Sequence, residues 1–355
     1  MERLVDERKK YRNSRTSRVI TPSAKFYELF TAEQVNDIAS NLDINHEIPS
    51  QYGYFDSGAK YWSDYAVRMY ENDAPNLLKR TVKLFELNDD YLDGLVAKYD
   101  RVNVIDLGPG NALPVKDLMA RLINKGILGK YVGIDLSPDM LEVARQNITS
   151  WFGDAVTFEG YLADLTQARF NHLLAPAYIG EQAGKTMNIV LFLGGTISNF
   201  RNPNGVLQII HDSMGRNDIF VLARKLDTAQ SRRFFDFSVT PGESSLSMND
   251  RLVLDLLNVD PAFYNVEMGY DTVKHQRYIQ VRLLMALRVD FKLGEGVRSV
   301  HLEKGDTILL WRSWQQNSVQ VVEQLIGSGF YPLQISQTDD MEYMLSISRL
   351  QTESD

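Results

Sequence analysis

The residues best suited to chemistry in this chain are Asp106, Gly108, Gly110 and Asp135. They lie in the stretch VNVIDLGPGNALPVKDLMARLINKGILGKYVGIDLSPDML that starts at Val102. The apolar run Val102 to Leu107 suits a strand covered on both faces. Gly108 and Gly110 allow positive φ and a close approach of backbone to ligand. A helix and a second strand then lead to Asp135, 29 positions after Asp106. This is one βαβ unit, and a carboxylate ending its second strand is placed to take both hydroxyls of a ribose. The unit therefore reads as a nucleoside site. A dinucleotide site wants G-x-G-x-x-G, so that a pyrophosphate can sit on the helix N-terminus. Here Leu113 stands at the third glycine, which disfavours a nicotinamide-dependent oxidoreductase. Two glycines in one βαβ unit still leave other doubly wound proteins open.

The elements that must hold these residues follow from the pattern around them. Residues 102–107, 130–135, 156–161, 187–193 and 218–224 read as strands of an α/β, doubly wound sheet. Asp164, in GYLADLT, falls just past the third strand, as a switch-point carboxylate or as a helix cap. MNIVLFLGGTISNF is an apolar strand ending in a Gly-Gly turn and Asn199, at the carboxyl edge where ligands bind in such folds. Residues 1–23 are polar and basic and read as a flexible tail. Residues 24–96 read as a helical section with Thr31 as an N-cap. Tyr52, Tyr54, Phe55, Tyr61 and Trp62 lie in a turn-rich loop within it, as a lid over a pocket or as a seal between helices. The nucleoside core spans 97–230. Residues 231–312 form an inserted accessory α+β section, with period-two segments such as YIQVRLLMALRVDF. Residues 313–355 supply a helix ended at Gly327 or Gly329 and a hairpin turned at Thr338-Asp339-Asp340.

Composition narrows the function classes. The chain has 355 residues, 44% hydrophobic and 24% charged, as expected of a globular protein with ample core. A formal net charge of -8 argues against nucleic acid as a partner. The absence of cysteine excludes disulfides, thiolate metal sites and a cysteine nucleophile. His46, His172, His211, His275 and His301 show no metal-ligand spacing, so no metal is expected. No G-x-S-x-G elbow and no P-loop occur. With no signal-like or membrane-spanning apolar run, a cytoplasmic enzyme is the default. Its oligomeric state is open, and a monomer is compatible.

The D-L-G-x-G form resembles motif I of class I S-adenosylmethionine (SAM)-dependent methyltransferases. The resemblance implies a Rossmann-like core with a closing hairpin on one edge, and SAM as cofactor. Asp106 would lie near the methionine amino group, Asp135 would hold the ribose, and Asp164 would stand near the adenine. Phe192-Leu193-Gly194-Gly195-Thr196-Ile197-Ser198-Asn199-Phe200 is similar to the FLGGTIGN-type signature of the histidine-specific SAM-dependent methyltransferases. The order of a YFDSG-like loop, SAM motifs, signature and accessory segment also fits, over most of residues 50–349. The resemblance makes Gly108, Gly110 and Gly194 cofactor residues. Thr196 and Asn199 would line the amino-acid site, Asn199 at the backbone end of the substrate. Tyr70 matches, loosely, a substrate-facing tyrosine. Asn199 and Tyr70 are thus the candidates for positioning, and no catalytic group is named.

The departures from that family concern the acceptor end. Phe55 stands where the family has a tyrosine before the loop aspartate. Phe234 or Phe235 matches a second family tyrosine, and Pro114 falls near a family lysine. In LLWRS, Ser313 keeps the position of a serine that reads the imidazole, while Trp311 replaces the glutamate. A tryptophan accepts no hydrogen bond from an imidazole, and loss of such a reader costs several powers of ten in discrimination. The expected reaction is therefore N-methylation of an amino acid or related small amine, not histidine. Tyr54, Phe55, Tyr70, Thr196, Asn199, Phe235, Trp311 and Ser313 are the substrate-side candidates. An O- or C-methyltransferase of a small secondary metabolite, and a SAM-binding protein without turnover, stay open.

Overall fold

The computed structural model describes residues 17–72, 76–179, 184–229 and 246–352. Among the described residues thirteen strands follow one another: β1 (Arg18–Ile20), β2 (Arg101–Leu107), β3 (Leu128–Asp135), β4 (Phe158–Leu162), β5 (Thr186–Phe192), β6 (Ile219–Lys225), β7 (Tyr264–Asp271), β8 (Gln276–Leu283), β9 (Leu287–Leu293), β10 (Gly296–Leu302), β11 (Thr307–Trp314), β12 (Phe330–Gln337) and β13 (Tyr343–Leu350). The chain divides into two compact units.

The larger unit comprises Tyr54–Phe237, Tyr270–Arg277 and Arg312–Asp355. Its seven-stranded sheet has the order β12-β13-β6-β5-β2-β3-β4. Strands β2 to β6 are parallel, and β13 runs antiparallel between β6 and β12. This is the α/β doubly wound architecture with a closing hairpin that the sequence implies. Central β5 is buried along its whole length, as a parallel strand covered by helices must be. Alternation sends Val102, Val104, Ile189, Leu191, Val221 and Leu345 into a core with residues of helices Leu77–Glu86, Lys116–Asn124 and Pro138–Phe152. Ile105, Leu107, Val190, Phe192, Phe220 and Leu222 pack on the other face with helices Pro203–Ser213 and Ser318–Gly327.

Register brings the chemistry to one edge. Leu107 pairs with Ile134, so Asp106 and Asp135 end neighbouring strands. Asp106 also pairs with Leu191, which puts the Gly194-Gly195 turn just beyond the same edge. The closing hairpin turns at Thr338, whose hydroxyl lies 2.5 Å from Asp340 Oδ1 and accepts from the Tyr343 amide. Arg80 pairs with that same Asp340.

The smaller unit comprises Met1–Gly53, Ser238–Gly269 and Tyr278–Trp311. Here β1 pairs parallel with β9, and β9 pairs antiparallel with β10. Residues inside the segment expected to be a tail therefore join a sheet: the amide of Arg18 donates to Ala286 O, and Ile20 is buried. The division between Gly53 and Tyr54 falls inside the segment that the sequence treats as one helical section. Its cause is packing. Phe26 of helix Ala24–Leu29 meets Phe291 with ring centroids 6.0 Å apart, and Arg298 bonds Asn36, Ser40 and Asp43 of helix Ala32–Asn45. A third sheet, β11-β8-β7, has strands that pass along the chain from one unit into the other.

Helix Ala32–Asn45 starts with a full capping box, Thr31 and Gln34 each bonding the other's amide. Thr31→Ala should lower unfolding stability by about 1 kcal/mol. Urea titration checks this, and an unchanged midpoint would show that packing alone holds the helix end.

Candidate functional site

Asp106 and Asp135 end their strands as expected, and their environments differ. Asp106 is 2% exposed, and Oδ2 accepts from the Tyr131 hydroxyl at 2.7 Å. Burial pushes its carboxyl up to about 7, against the lowering effect of the Tyr131 bond and with a smaller push from Asp135. The same burial, with Asp106 beside it, raises Tyr131 well above its ordinary value. Asp135 keeps some solvent contact, and Oδ1 accepts from the Ser137 amide at 2.9 Å. Protein packed around it still raises it to about 6, opposed by the amides of Ser137 and Leu136.

Between these carboxylates the turn is wound tightly. Gly108 and Gly110 have φ of 64° and 58°. Ala112 follows at φ 56°, a left-handed conformation that costs a residue with a Cβ about 1 kcal/mol. Asn111 holds it there: Oδ1 accepts from Leu113 N at 3.1 Å, and its carbonyl accepts from Asn147 Nδ2 at 2.9 Å. The ring of Trp62 lies on this turn, so that a Cβ on Gly110 would stand 2.6 Å from Trp62 Cη2.

Trp62 belongs to helix Ser57–Glu71, and the segment before it is bolted to the loop after β3. Ser137 caps helix Pro138–Phe152 by accepting from Met140 N, while its hydroxyl donates to Tyr54 O at 2.6 Å. The Asp56 amide donates to Asp139 Oδ2 at 2.7 Å, with Asp56 itself at φ 46°. Tyr54 meets Trp62 edge to face at 6.5 Å. The expected aromatic loop is thus a short 3-10 turn, Ser50–Tyr54, running into a helix.

Past β5, Gly194 and Gly195 both have positive φ, and Thr196–Asn199 forms a 3-10 turn. The Thr196 methyl lies 3.9 Å from where a Cβ on Gly108 would stand, so this turn borders the first. Asn199 is half-buried within it.

Other candidates fall elsewhere. Asp164 is spent on a local turn, accepting from Thr166 N, Thr166 Oγ1 and Gln167 Nε2. Phe55 is buried at 2% exposure. Tyr70 is 44% exposed, about two turns beyond Trp62 on its helix. Ser313 Oγ accepts from Gln315 Nε2, and half-buried Trp311 belongs to the smaller unit. Phe235 lies outside the described residues. Sequence patterns missed the ties made by Ser137, Asp139 and Asn111, and named Trp62 only as part of an aromatic cluster. Among the described residues, no group of three or more His, Asp or Glu is placed to hold a metal ion, and no helix is long and apolar enough to cross a membrane.

The residues fit a nucleoside sulfonium. Two carboxylates suit an ammonium and a vicinal diol, and the glycine turn carries an aromatic ring where a phosphate would need open amides. Among solved structures the chain is similar to a SAM-dependent methyltransferase from Clostridium acetobutylicum ATCC 824, at 10% identity over 83% of this chain and 92% of that one, TM-score 0.40. It is also similar to the magnesium protoporphyrin IX methyltransferase of Synechocystis PCC 6803 with bound SAH, at 12% identity over 84% and 96%, TM-score 0.42. A sugar N-methyltransferase of Streptoalloteichus sp ATCC 53650 gives 11% identity over 81% and 93%, TM-score 0.37. No curated protein matches the sequence. Residues 34–234 match the family described as histidine-specific methyltransferase, SAM-dependent. That match spans more than half of the 355 residues and takes in both acidic strand ends and the turn after β5, so the chain belongs to the histidine-specific, SAM-dependent methyltransferase family and is an enzyme that uses SAM as its methyl donor.

Proposed function

We propose that this methyltransferase acts on the amino nitrogen of an amino acid or related small amine other than histidine. The observation that carries this reading is the Thr196–Asn199 turn lying against the Gly108 turn, within one compact unit. It supports an acceptor held beside the methyl donor by the signature residues. Against histidine stand two sequence departures: Phe55 lacks a family hydroxyl, and Trp311 replaces a glutamate.

When bound, SAM supplies a methyl group already activated by a sulfonium, with a neutral thioether as leaving group. The chain's part is alignment and the exclusion of water. Asp106 would hold the ammonium end of the donor, and Asp135 would take the ribose hydroxyls. Tyr54 and Trp62 cover the cleft, where desolvation disfavours a charged acceptor and leaves the amine neutral. Asn199 orients the acceptor's backbone end. A neutral amine held there would present its lone pair to the methyl group and, once methylated, would release a proton to solvent. Aromatic rings suit the cationic product through cation–π contact.

Incubation with SAM and a panel of amino acids and amines tests the reading. A gain of one methyl unit on an amine, located at nitrogen by product fragmentation, is expected. Methylation of histidine alone, or only at oxygen or carbon, overturns it. A pH dependence follows as well. Asp106 titrates near 7 and Asp135 near 6, and both must be ionised to hold the donor. SAM affinity should fall about tenfold per unit as pH drops below 7, and more steeply below 6. Calorimetry at pH 8, 7, 6 and 5.5 checks this, and a flat profile would remove both carboxylates from donor binding.

A further inference from the structure

Among the described residues Arg224 is the largest fully buried side chain, 1% exposed at the carboxyl end of β6. Its guanidinium donates to Gln316 Oε1 at 2.6 Å, Gln324 Oε1 at 3.3 Å, Ser198 Oγ at 3.0 Å and Trp314 O at 3.4 Å. All four acceptors are neutral, and Nε is buried with no partner. Among the described residues no carboxylate pairs with it. Desolvation lowers it to about 10, which leaves it protonated at neutral pH. A buried, uncompensated cation is costly, and purely structural positions rarely keep one.

Its placement suggests what the charge is for. Ser198 sits in the middle of the Thr196–Asn199 turn, beside Asn199. The turn has a second tie, Trp314 Nε1 donating to Phe200 O at 2.8 Å. Gln324 in turn is held by Asn204, so the guanidinium is gripped by oriented amides. The donor side carries two carboxylates, and the chain has a net charge of -8. Against that background the buried charge of Arg224 beneath the signature turn makes this part of the edge attractive to an anion.

We infer that Arg224 is a positioning residue of the acceptor site: it fixes the Thr196–Asn199 turn through Ser198 and gives it the positive potential that selects an acceptor bearing a carboxylate. This rests on the N-methylation reading above and narrows it from amines in general to amino acids. Arg224 acts through the turn, being too buried to touch the acceptor.

The test compares an amino acid with its decarboxylated amine, in the wild type and in Arg224→Met, Arg224→Lys and Ser198→Ala. The wild type should prefer the amino acid. Arg224→Met should raise KM for the amino acid about 30-fold and for the amine less than about threefold. SAM affinity should stay within about twofold, since the donor carboxylates lie on other strands. Arg224→Lys keeps the charge and should recover most of the preference. Ser198→Ala, a small change in a turn, should raise KM for the amino acid about fivefold and serves if Arg224→Met does not fold. Equal losses for both acceptors, or a parallel loss of SAM affinity, would mark Arg224 as a structural clamp and overturn the inference. A wild type that methylates only the amine overturns it while leaving the N-methylation reading intact. N-methyl product from neither acceptor sinks both.

Discussion

Asp106→Asn should weaken SAM binding by about 100-fold or more while making the ligand-free protein more stable at pH 8. The two effects have one origin. Asp106 is 2% exposed and its carboxyl titrates near 7, so at pH 8 the ligand-free fold carries a charge that burial disfavours. The sign follows from linkage. The folded value lies above the unfolded one of 3.8. The group's stabilising contribution is therefore complete below the unfolded value and lost as pH rises through 7. A difference of three units, at about 1.4 kcal/mol each, sets a ceiling of about 4 kcal/mol. Asparagine removes the charge and keeps an acceptor for the Tyr131 hydroxyl, so a gain of about 2 kcal/mol at pH 8 is expected, shrinking toward pH 5. The donor's ammonium meanwhile loses its counter-charge, and breaking a buried pair from one side costs about 3–5 kcal/mol. Urea unfolding at both pH values, with calorimetric SAM titration, measures the two halves. Affinity within threefold of wild type would show that Asp106 does not face the donor. A stability loss at pH 8 would show that the carboxylate is compensated within the fold.

Such a residue is legible in sequence because its position is set locally. Val102 to Leu107 reads as a buried strand from composition alone, and the carboxylate that ends it before a Gly-x-Gly turn stands out. The same holds for Asp135 and for the turn after β5. Strand ends drifted by one or two residues, as at β4, where the apolar run begins before the ladder does. What sequence left out depends on distant contacts. Ser137 caps a helix, and its hydroxyl also reaches Tyr54, 83 residues away. Arg224 sits in FVLARK at a strand end, and its burial depends on partners far along the chain, Gln316 and Gln324 among them. Residues 18–20 look like part of a basic tail because a parallel partner such as β9, more than 250 positions on, leaves no local trace. The split at Gly53 is of the same kind. Gly53 lies so close to Asn249 that a Cβ would meet its carbonyl oxygen at 2.4 Å, a contact invisible from either segment alone.

Gly110→Ala should reduce SAM affinity by about 100-fold, and the loss should depend on Trp62. Two costs combine at this position. The backbone is at φ 58°, where a Cβ costs about 1–2 kcal/mol. The added methyl would also stand 2.6 Å from Trp62 Cη2 and 3.0 Å from Cζ3, closer than van der Waals contact permits. Overpacking of this kind costs about 1–3 kcal/mol. The ring is the softer side, so it should swing off the turn, taking with it the edge contact to Tyr54. If Trp62 forms the wall of the donor cleft, that displacement opens the cleft to water, and binding suffers beyond the backbone term. A double-mutant cycle separates the contributions. Trp62→Ala alone should weaken SAM binding about tenfold, through loss of apolar cover. Added to Trp62→Ala, the Gly110→Ala change should cost only its backbone share, about 5–10-fold. Strongly non-additive losses would tie the glycine to the ring above it. Additive losses would mean that Gly110 is needed for its φ alone, and that Trp62 packs on the turn without shaping what binds there.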